Sequence, residues 1–412
     1  MWGVLTPERN LSDTEPVTEP APPGQESAGG PAGPDLRPGP LTGLLVADFS
    51  RVLAGPFATM MLADLGARVV KVERPGIGDD TRGYGPFLGG DSLYFARVNR
   101  GKESVALDLK DPADAAVART LALRADVVVE NYRPGVMDRL GLGADELLAE
   151  HPRLVYCSIS GFGHTGPWSQ RPAYDTVVQA MSGIMAITGE QGGAPVKPGV
   201  PIADLSAGLY AFGGITSALL GLASTGRGTH LDIAMYDATV SLLEGAALSY
   251  LATGTDPTAI GNAHFSIAPF DTFSCRDRDI TICAANDTLF GVLARVLGRP
   301  GLATDPRYAT NVTRHASRLE LKVEIEAALA TAAADHWLGE LDVAGVPCGP
   351  LATVAEAVGS EQAAVRRMVV DAGGLPGPGN PVKASGYVDP VVRRSAPRLD
   401  EHGDSVRSEF AP

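Results

Sequence analysis

The sequence predicts an α/β protein built on a parallel sheet flanked by helices, with a smaller α/β domain following it. Three observations carry this. From Leu44 to about Ala238, short β-branched runs alternate with helical stretches. Two further strand-like runs, APFDTFSC and DITICAA, come only after that alternation ends. At 412 residues the chain has room for two domains of about 100–200 residues each.

In chain order, residues 1–40 (EPAPPGQESAGGPAGPDLRPGP among them) are too rich in Pro, Gly, Glu and Ala to bury a core, and are expected to be a disordered leader. LLVADF reads as a strand, Pro56 to Leu65 as a helix and ARVVKVE as the next strand, which makes one βαβ unit. DPADAAVARTLALRA is the next helix, DVVVEN a strand, Val136 to Glu150 a helix, and Arg153 to Ser160 a strand. A helix from about Asp175, an uncharged helix from about Asp204, the strand THLDIAM and a helix from Asp237 complete the large domain, 41–254. A small domain is expected over 255–350, with 351–412 returning to the large one. In sheets of this kind ligands sit beyond the carboxyl ends of the strands, here after Phe49, Glu73, Asn131 and Ser160.

Composition narrows the function. A net charge of −14 repels nucleic acid and anionic membranes, and no Lys/Arg run offsets it. The 4 cysteines stand singly without a CxxC, and the histidines show no ligand spacing, so neither a disulfide framework nor a metal site is expected. The start, Met1-Trp2-Gly3, does not read as a signal peptide, and a cytoplasmic location is expected. Leu205 to Gly226 carries no charge over a membrane-spanning length, but its glycines, serines and threonines favour a buried core helix. Gly161-Phe-Gly163-His-Thr-Gly166 matches GxGxxG, yet Pro167 and Trp168 stand where a dinucleotide site needs a helix. GxxxxGK[ST] and GxSxG are both absent.

What remains are acids at helix starts, Asp175 in RPAYDTVVQA and Asp204 in GVPIADLSAGLYAFGG. The structural expectation for each is an N-cap. The functional alternative uses the same place, since a helix terminus keeps a carboxylate ionised and nucleophilic.

Taken together, VADFSRVLAGPFATMMLADLGARVVKVERPGIGDDTR, VNRGKESVALDLKDP, VVVENYRPGVMDRLGLG, LVYCSISGFGHTGP, YDTVVQAMSG, GVPIADLSAGLYAFGGITSALL and GTHLDIAMYDA resemble the family III CoA-transferases. The resemblance implies a Rossmann-like large domain, an interlocked homodimer, and Asp204 as the nucleophile. Its substrates would be an acyl-CoA and a small carboxylic acid, with no prosthetic group. By motif position it implies CoA contacts from Val52, Ala54, Arg74, Leu107, Lys110, Asn131, Tyr132 and Arg139, where Lys110, Arg139 and Arg74 would meet phosphates. Leu53, Tyr84, Tyr174, Asp175 and His264 are candidates for the substrate pocket.

Members acting on formyl-CoA carry a Gln, a Trp and a run of glycines where this chain has Leu53, Tyr84 and GNAHFSIAP, so formyl-CoA and oxalate are not the expected substrates. The related α-methylacyl-CoA racemases need a His where Tyr174 stands, and a phenol is a poor proton shuttle at neutral pH. A catalytically silent acyl-CoA-binding protein is the alternative from another class.

Overall fold

The computed structural model describes residues 38–412; the expected leader lies outside the described residues except for its last three. The large sheet contains six parallel strands: β1 (Leu45–Asp48), β2 (Arg68–Glu73), β3 (Glu103–Ala106), β4 (Val127–Glu130), β5 (Val155–Ser160) and β6 (Thr229–Ala234). Their spatial order is β3-β2-β1-β4-β5-β6. The chain winds outward from β1 to β3, then returns to the other side of β1 with β4. This reversal opens a crevice between the β1 and β4 carboxyl ends, the place where doubly wound sheets bind ligands.

The central strands are buried on both faces, as those of a covered parallel sheet are, while the edge strand β6 is only partly buried. One core joins Val70, Val105, Val128 and Tyr156 to helix α2 (Pro112–Arg124). The other joins Val69, Val127, Val129 and Cys157 to α1 (Ala54–Asp64) and α4 (Ile202–Thr225), which pack directly on each other, with α3 (Asp175–Ser182) packed against α4. The single helix expected over 136–150 is broken into Val136–Arg139 and Ala144–Glu150, because Gly141 adopts a positive φ of 69° between them.

The sequence reading did not find β3, whose run ESVA lies close behind a turn and is short. As an edge strand it exposes unpaired backbone groups, and the C-terminal segment meets them. Ala106 N donates to Asp400 Oδ1 and His402 N to the Ser104 carbonyl. The last helix, Gly403–Glu409, and Phe410 then seat Val406 and the Phe410 ring in the first core.

Helix α4 departs from the fully buried helix expected of its composition. Ala203, Ala207, Ala211 and Ile215 are wholly buried, and Gly208 sits so close to α1 that a Cβ would lie 2.8 Å from the Ala54 carbonyl oxygen. The opposite face, with Leu209, Tyr210 and Leu220, is exposed, as are Leu248 and Leu251 on the helix Glu244–Thr253. The helix is therefore a one-sided core element with a second apolar face.

A separate core, around Phe273, Ile282, Phe290, Leu321, Ile325 and Trp337, surrounds a three-stranded antiparallel sheet of Phe270–Ser274, Asp279–Cys283 and Cys348–Pro350. Arg314, with its side chain fully buried, holds this unit to the segment leading into it, donating to the carbonyls of Ala268 and Tyr308 and pairing with Asp287.

Candidate active site

The crevice at the strand reversal is a cleft walled by Arg51–Ala54 after β1, Asn131–Pro134 after β4 and Ile159–Gly161 at the end of β5, with Tyr174, Asp204 and Met235 closing the far side. Of the residues singled out in the sequence, Val52, Leu53, Ala54, Asn131, Tyr132, Tyr174 and Asp204 converge here. Arg74 lines an adjoining cleft that shares Arg51, Asp80 and Tyr132 with the first. The remaining candidates lie elsewhere: Leu107 is a core residue, 2% exposed, while Lys110 and Arg139 stand exposed and line neither cleft. Tyr84 is exposed and edge-on to Tyr94, and His264 stacks on Phe265 with ring centroids 4.5 Å apart.

The floor of the cleft is held by a network that sequence reasoning missed. Asp48, Glu73 and Asp79 lie beneath it with Lys71, Lys102 and Arg82 as counterions, at 3.0 Å for both Lys71–Asp79 and Lys102–Asp48 and 2.7 Å for Arg82–Glu73. All but Arg82 are nearly inaccessible to solvent. Such burial is tolerable only when every charge is paired and hydrogen-bonded, and here it is: Lys102 Nζ also donates to the Pro56 carbonyl and Asn99 Oδ1, and Lys71 Nζ to the Ser50 carbonyl. Burial pushes Lys102 down to about 8 while the nearby lysines hold Asp48 below the ordinary carboxylate range, so both stay charged at neutral pH.

This network shapes the loop above it. Val52 has φ 66°, a conformation that β-branched residues avoid, and its N–H is held by the Asp79 carboxylate at 3.1 and 3.2 Å. Asp48 takes the Ser50 N–H at 2.9 Å. Across the reversal, Asn131 clasps the loop from both directions, accepting from Arg51 N at 2.8 Å and donating to the Arg51 carbonyl at 2.7 Å. Its amide is thus occupied as a clasp. Glu130, buried and pushed up to about 7, takes the Tyr132 N–H and so fixes that turn. Only the pattern of strand ends could have hinted at these roles.

Neither acid is the N-cap expected of it. Tyr174 caps α3 and Pro201 caps α4, without side-chain capping bonds in either case. Instead Asp175 reaches from the start of α3 to the start of α4, where its Oδ1 accepts from the N–H groups of Ala203 and Asp204 at 3.0 and 3.3 Å. Buried Gln179, one turn further along α3, donates to the other Asp175 oxygen. Asp175 therefore takes up the free amide hydrogens of α4 and leaves the Asp204 carboxylate directed to the cleft.

The expectation that the helix terminus keeps Asp204 ionised is also corrected. Burial, aided by the negative charge of Asp175, raises its carboxyl to about 7, against a smaller opposing effect of Arg97. A carboxylate made basic by its surroundings is a stronger nucleophile once ionised. Chemistry that depends on it should rise with pH to a midpoint near 7, and Asp175→Asn, by removing a like charge, should move that midpoint down. A pH–rate profile flat from about 5.5 upward would contradict this.

A doubly wound parallel sheet with its cleft at the reversal, lined by Arg51, Arg133 and Arg171 and holding the raised Asp204 carboxylate, fits an α/β enzyme. The chain belongs to CoA-transferase family III, whose family model matches residues 41–403. It is 52% identical over 374 residues, 90% of this chain and 96% of the relative, to an acetyl-CoA:oxalate CoA-transferase of Acetobacter aceti. It is 42% identical to a succinyl-CoA:glutarate CoA-transferase of Mus musculus over 81% of this chain and 76% of that one. Its fold superposes on a CAIB/BAIF family protein from Brucella suis with a TM-score of 0.82 at 43% identity, covering 91% of this chain and 100% of the other.

Proposed function

We propose that this enzyme moves CoA from an acyl-CoA thioester to a small dicarboxylic acid through covalent intermediates on Asp204. The observation that carries this reading is the placement of a half-buried, basic Asp204 in the cleft at the sheet reversal. An Asp204 oxygen attacks the thioester carbonyl; the C–S bond breaks, CoA leaves as thiolate, and an acyl-aspartyl anhydride remains. The thiolate attacks the aspartyl carbonyl, which releases the donor acid and forms an aspartyl-CoA thioester. The acceptor carboxylate displaces CoA in turn, giving a second anhydride, and attack of the thiolate on the acceptor's carbonyl yields the new acyl-CoA and free Asp204. Each step is an acyl transfer of modest barrier, in place of one unfavourable exchange.

The adenosine end of CoA lies against Val52–Ala54 and Tyr132, with Arg74, Arg133 and Arg51 near the phosphates; guanidinium groups suit this role. Relatives named for oxalate and glutarate support diacid acceptors, and they bring oxalate back as a candidate in spite of Leu53, Tyr84 and the segment GNAHFSIAP. The racemase reading gains nothing from the site, where Tyr174 is 73% exposed and offers a phenol in place of an imidazole.

The active assembly in this reading is a homodimer. The cleft of one chain encloses about 180 Å³, less than the ~300–1,000 Å³ of a typical ligand site. The exposed apolar faces of α4 and Glu244–Thr253 supply a surface for a second copy. Light scattering should give twice the chain mass, and a monomer that transfers CoA would overturn this part. The test of the function is incubation with acetyl-CoA or succinyl-CoA and a panel of acids, followed by mass spectrometry of the thioesters. New diacid-CoA is expected. Exchange of the α-proton of a branched acyl-CoA with no new thioester would favour the racemase.

A further inference from the structure

We propose that Arg171 selects diacid acceptors by binding the carboxylate that does not react. The inference rests on the transferase reading above and adds a specificity-determining residue to it.

The segment Gly161–Gly166 matches GxGxxG without the helix that a dinucleotide site needs, and its fold gives it another role. Gly163 and Gly166 both take φ 82°, which turns the chain back on itself beyond the end of β5. Ser160 Oγ and the Asp232 carboxylate hold the turn, accepting from the N–H groups of Gly163 and His164, each at 2.9 Å. The reversal sets Trp168 edge-on to Phe162 at 5.7 Å and to Tyr236 at 5.4 Å. Arg171, whose N–H donates to the Trp168 carbonyl at 2.8 Å, places its guanidinium 5.8 Å from the Phe162 ring centroid and 5.6 Å from that of Trp168. Contact with two rings restrains the guanidinium and leaves N–H donors for an anion.

This aromatic platform stands on the nucleophile's side of the cleft. Tyr236 directly follows Met235, and Arg171 leads through Pro172 and Ala173 into Tyr174. Met235, Tyr174 and Asp204 close the far side of the same cleft that Arg171 lines. Ala173 anchors the connection, packing so closely on Gly161 that a Cβ there would lie 2.2 Å from its own. Of the three cations lining this cleft, Arg51 is paired with Asp80, whereas Arg133 and Arg171 form no ion pair among the described residues. Arg133 belongs to the β4 turn beside Asn131 and Tyr132, where the reading above puts the nucleotide end of CoA. Arg171 is the cation left for the acid. In a cleft of about 180 Å³ a short diacid presents one carboxylate to Asp204 and the other to Arg171, whereas a monoacid of equal length leaves the guanidinium without a partner.

The test uses the full chain with acetyl-CoA as donor and pairs each diacid with a monoacid of equal length: oxalate with glycolate, succinate with butyrate, glutarate with valerate. Wild type should favour the diacid in at least one pair. For that pair, the ratio of kcat/KM for diacid over monoacid should fall about 10- to 100-fold in Arg171→Gln, chiefly through the diacid KM, as expected for the loss of one charge-assisted contact. Arg171→Lys should retain part of the preference. Arg133→Gln should instead raise the KM for acetyl-CoA and keep the ratio. The charges that act on Asp204 are Asp175 and Arg97, so the pH midpoint near 7 should stay in place in Arg171→Gln. Equal losses with diacid and monoacid, or a preference lost in Arg133→Gln and kept in Arg171→Gln, would overturn the proposal. Wild type that favours no diacid over its monoacid would also overturn it. Wild-type protein that transfers CoA to no acid would instead fail the transferase reading itself.

Discussion

Asp204→Asn should lower CoA transfer by at least about 10³-fold while leaving acyl-CoA binding within a fewfold of wild type. The substitution removes the raised carboxylate from the far side of the cleft and keeps its shape, so loss of turnover without loss of binding separates chemistry from folding. Linkage gives an independent check. The folded-state carboxyl titrates near 7 instead of its ordinary 3.8, so native protein binds this proton more tightly than unfolded chain. The stability it contributes is fully present below about pH 4 and is lost as pH rises through 7. Relative to wild type, Asp204→Asn should thus become more stable between pH 5 and pH 8, as read from Tm at both values. A variant that melts lower at pH 8 than at pH 5, relative to wild type, would show that the buried charge costs nothing.

The second large effect concerns the floor. Lys102→Met should destabilise the protein by about 3–5 kcal/mol, because it leaves the fully buried Asp48 without its direct counterion and Asn99 Oδ1 and the Pro56 carbonyl without a donor. Asp48 also holds the Ser50 N–H and Thr59 Oγ1. The damage should therefore extend to the loop Arg51–Ala54 and raise the KM for acyl-CoA in whatever fraction remains folded. The double substitution Asp48→Asn with Lys102→Met should recover part of the stability, since the neutral pair strands no charge. Denaturant titration of the single and double variants measures this directly; a single variant within about 1 kcal/mol of wild type would contradict it.

The comparison of sequence with fold follows the same physics. The central strands β1, β2, β4 and β5 were legible as short buried runs rich in Val and Ile, and β6 from its place between two helices, while β3 was not, being a four-residue edge strand finished by a segment some three hundred residues away. Strand ends in a wound sheet pointed to the turns after Phe49 and Asn131, while Val52, Leu53, Ala54, Tyr132 and Asp204 were named by the motifs that resemble family III; the two meet in one cleft. The charge states there were not legible. The rise of Asp204 to about 7 comes from burial and from Asp175, contributed by another helix, and an N-cap rule applied to either helix alone points the other way. Lys71 and Lys102 look like solvated charges in KVE and GKES, yet both end fully buried against acids from other strands and loops.

The central claim is that Asp204 carries acyl and CoA groups covalently. The most direct measurement is to quench the protein with acetyl-CoA in the absence of acceptor, digest it, and search the peptide containing Asp204 by mass spectrometry. A CoA adduct on that aspartate is expected, which disappears when a diacid is added and never forms in Asp204→Asn. Turnover to diacid-CoA with no adduct on Asp204, or with the adduct on another residue, would contradict it.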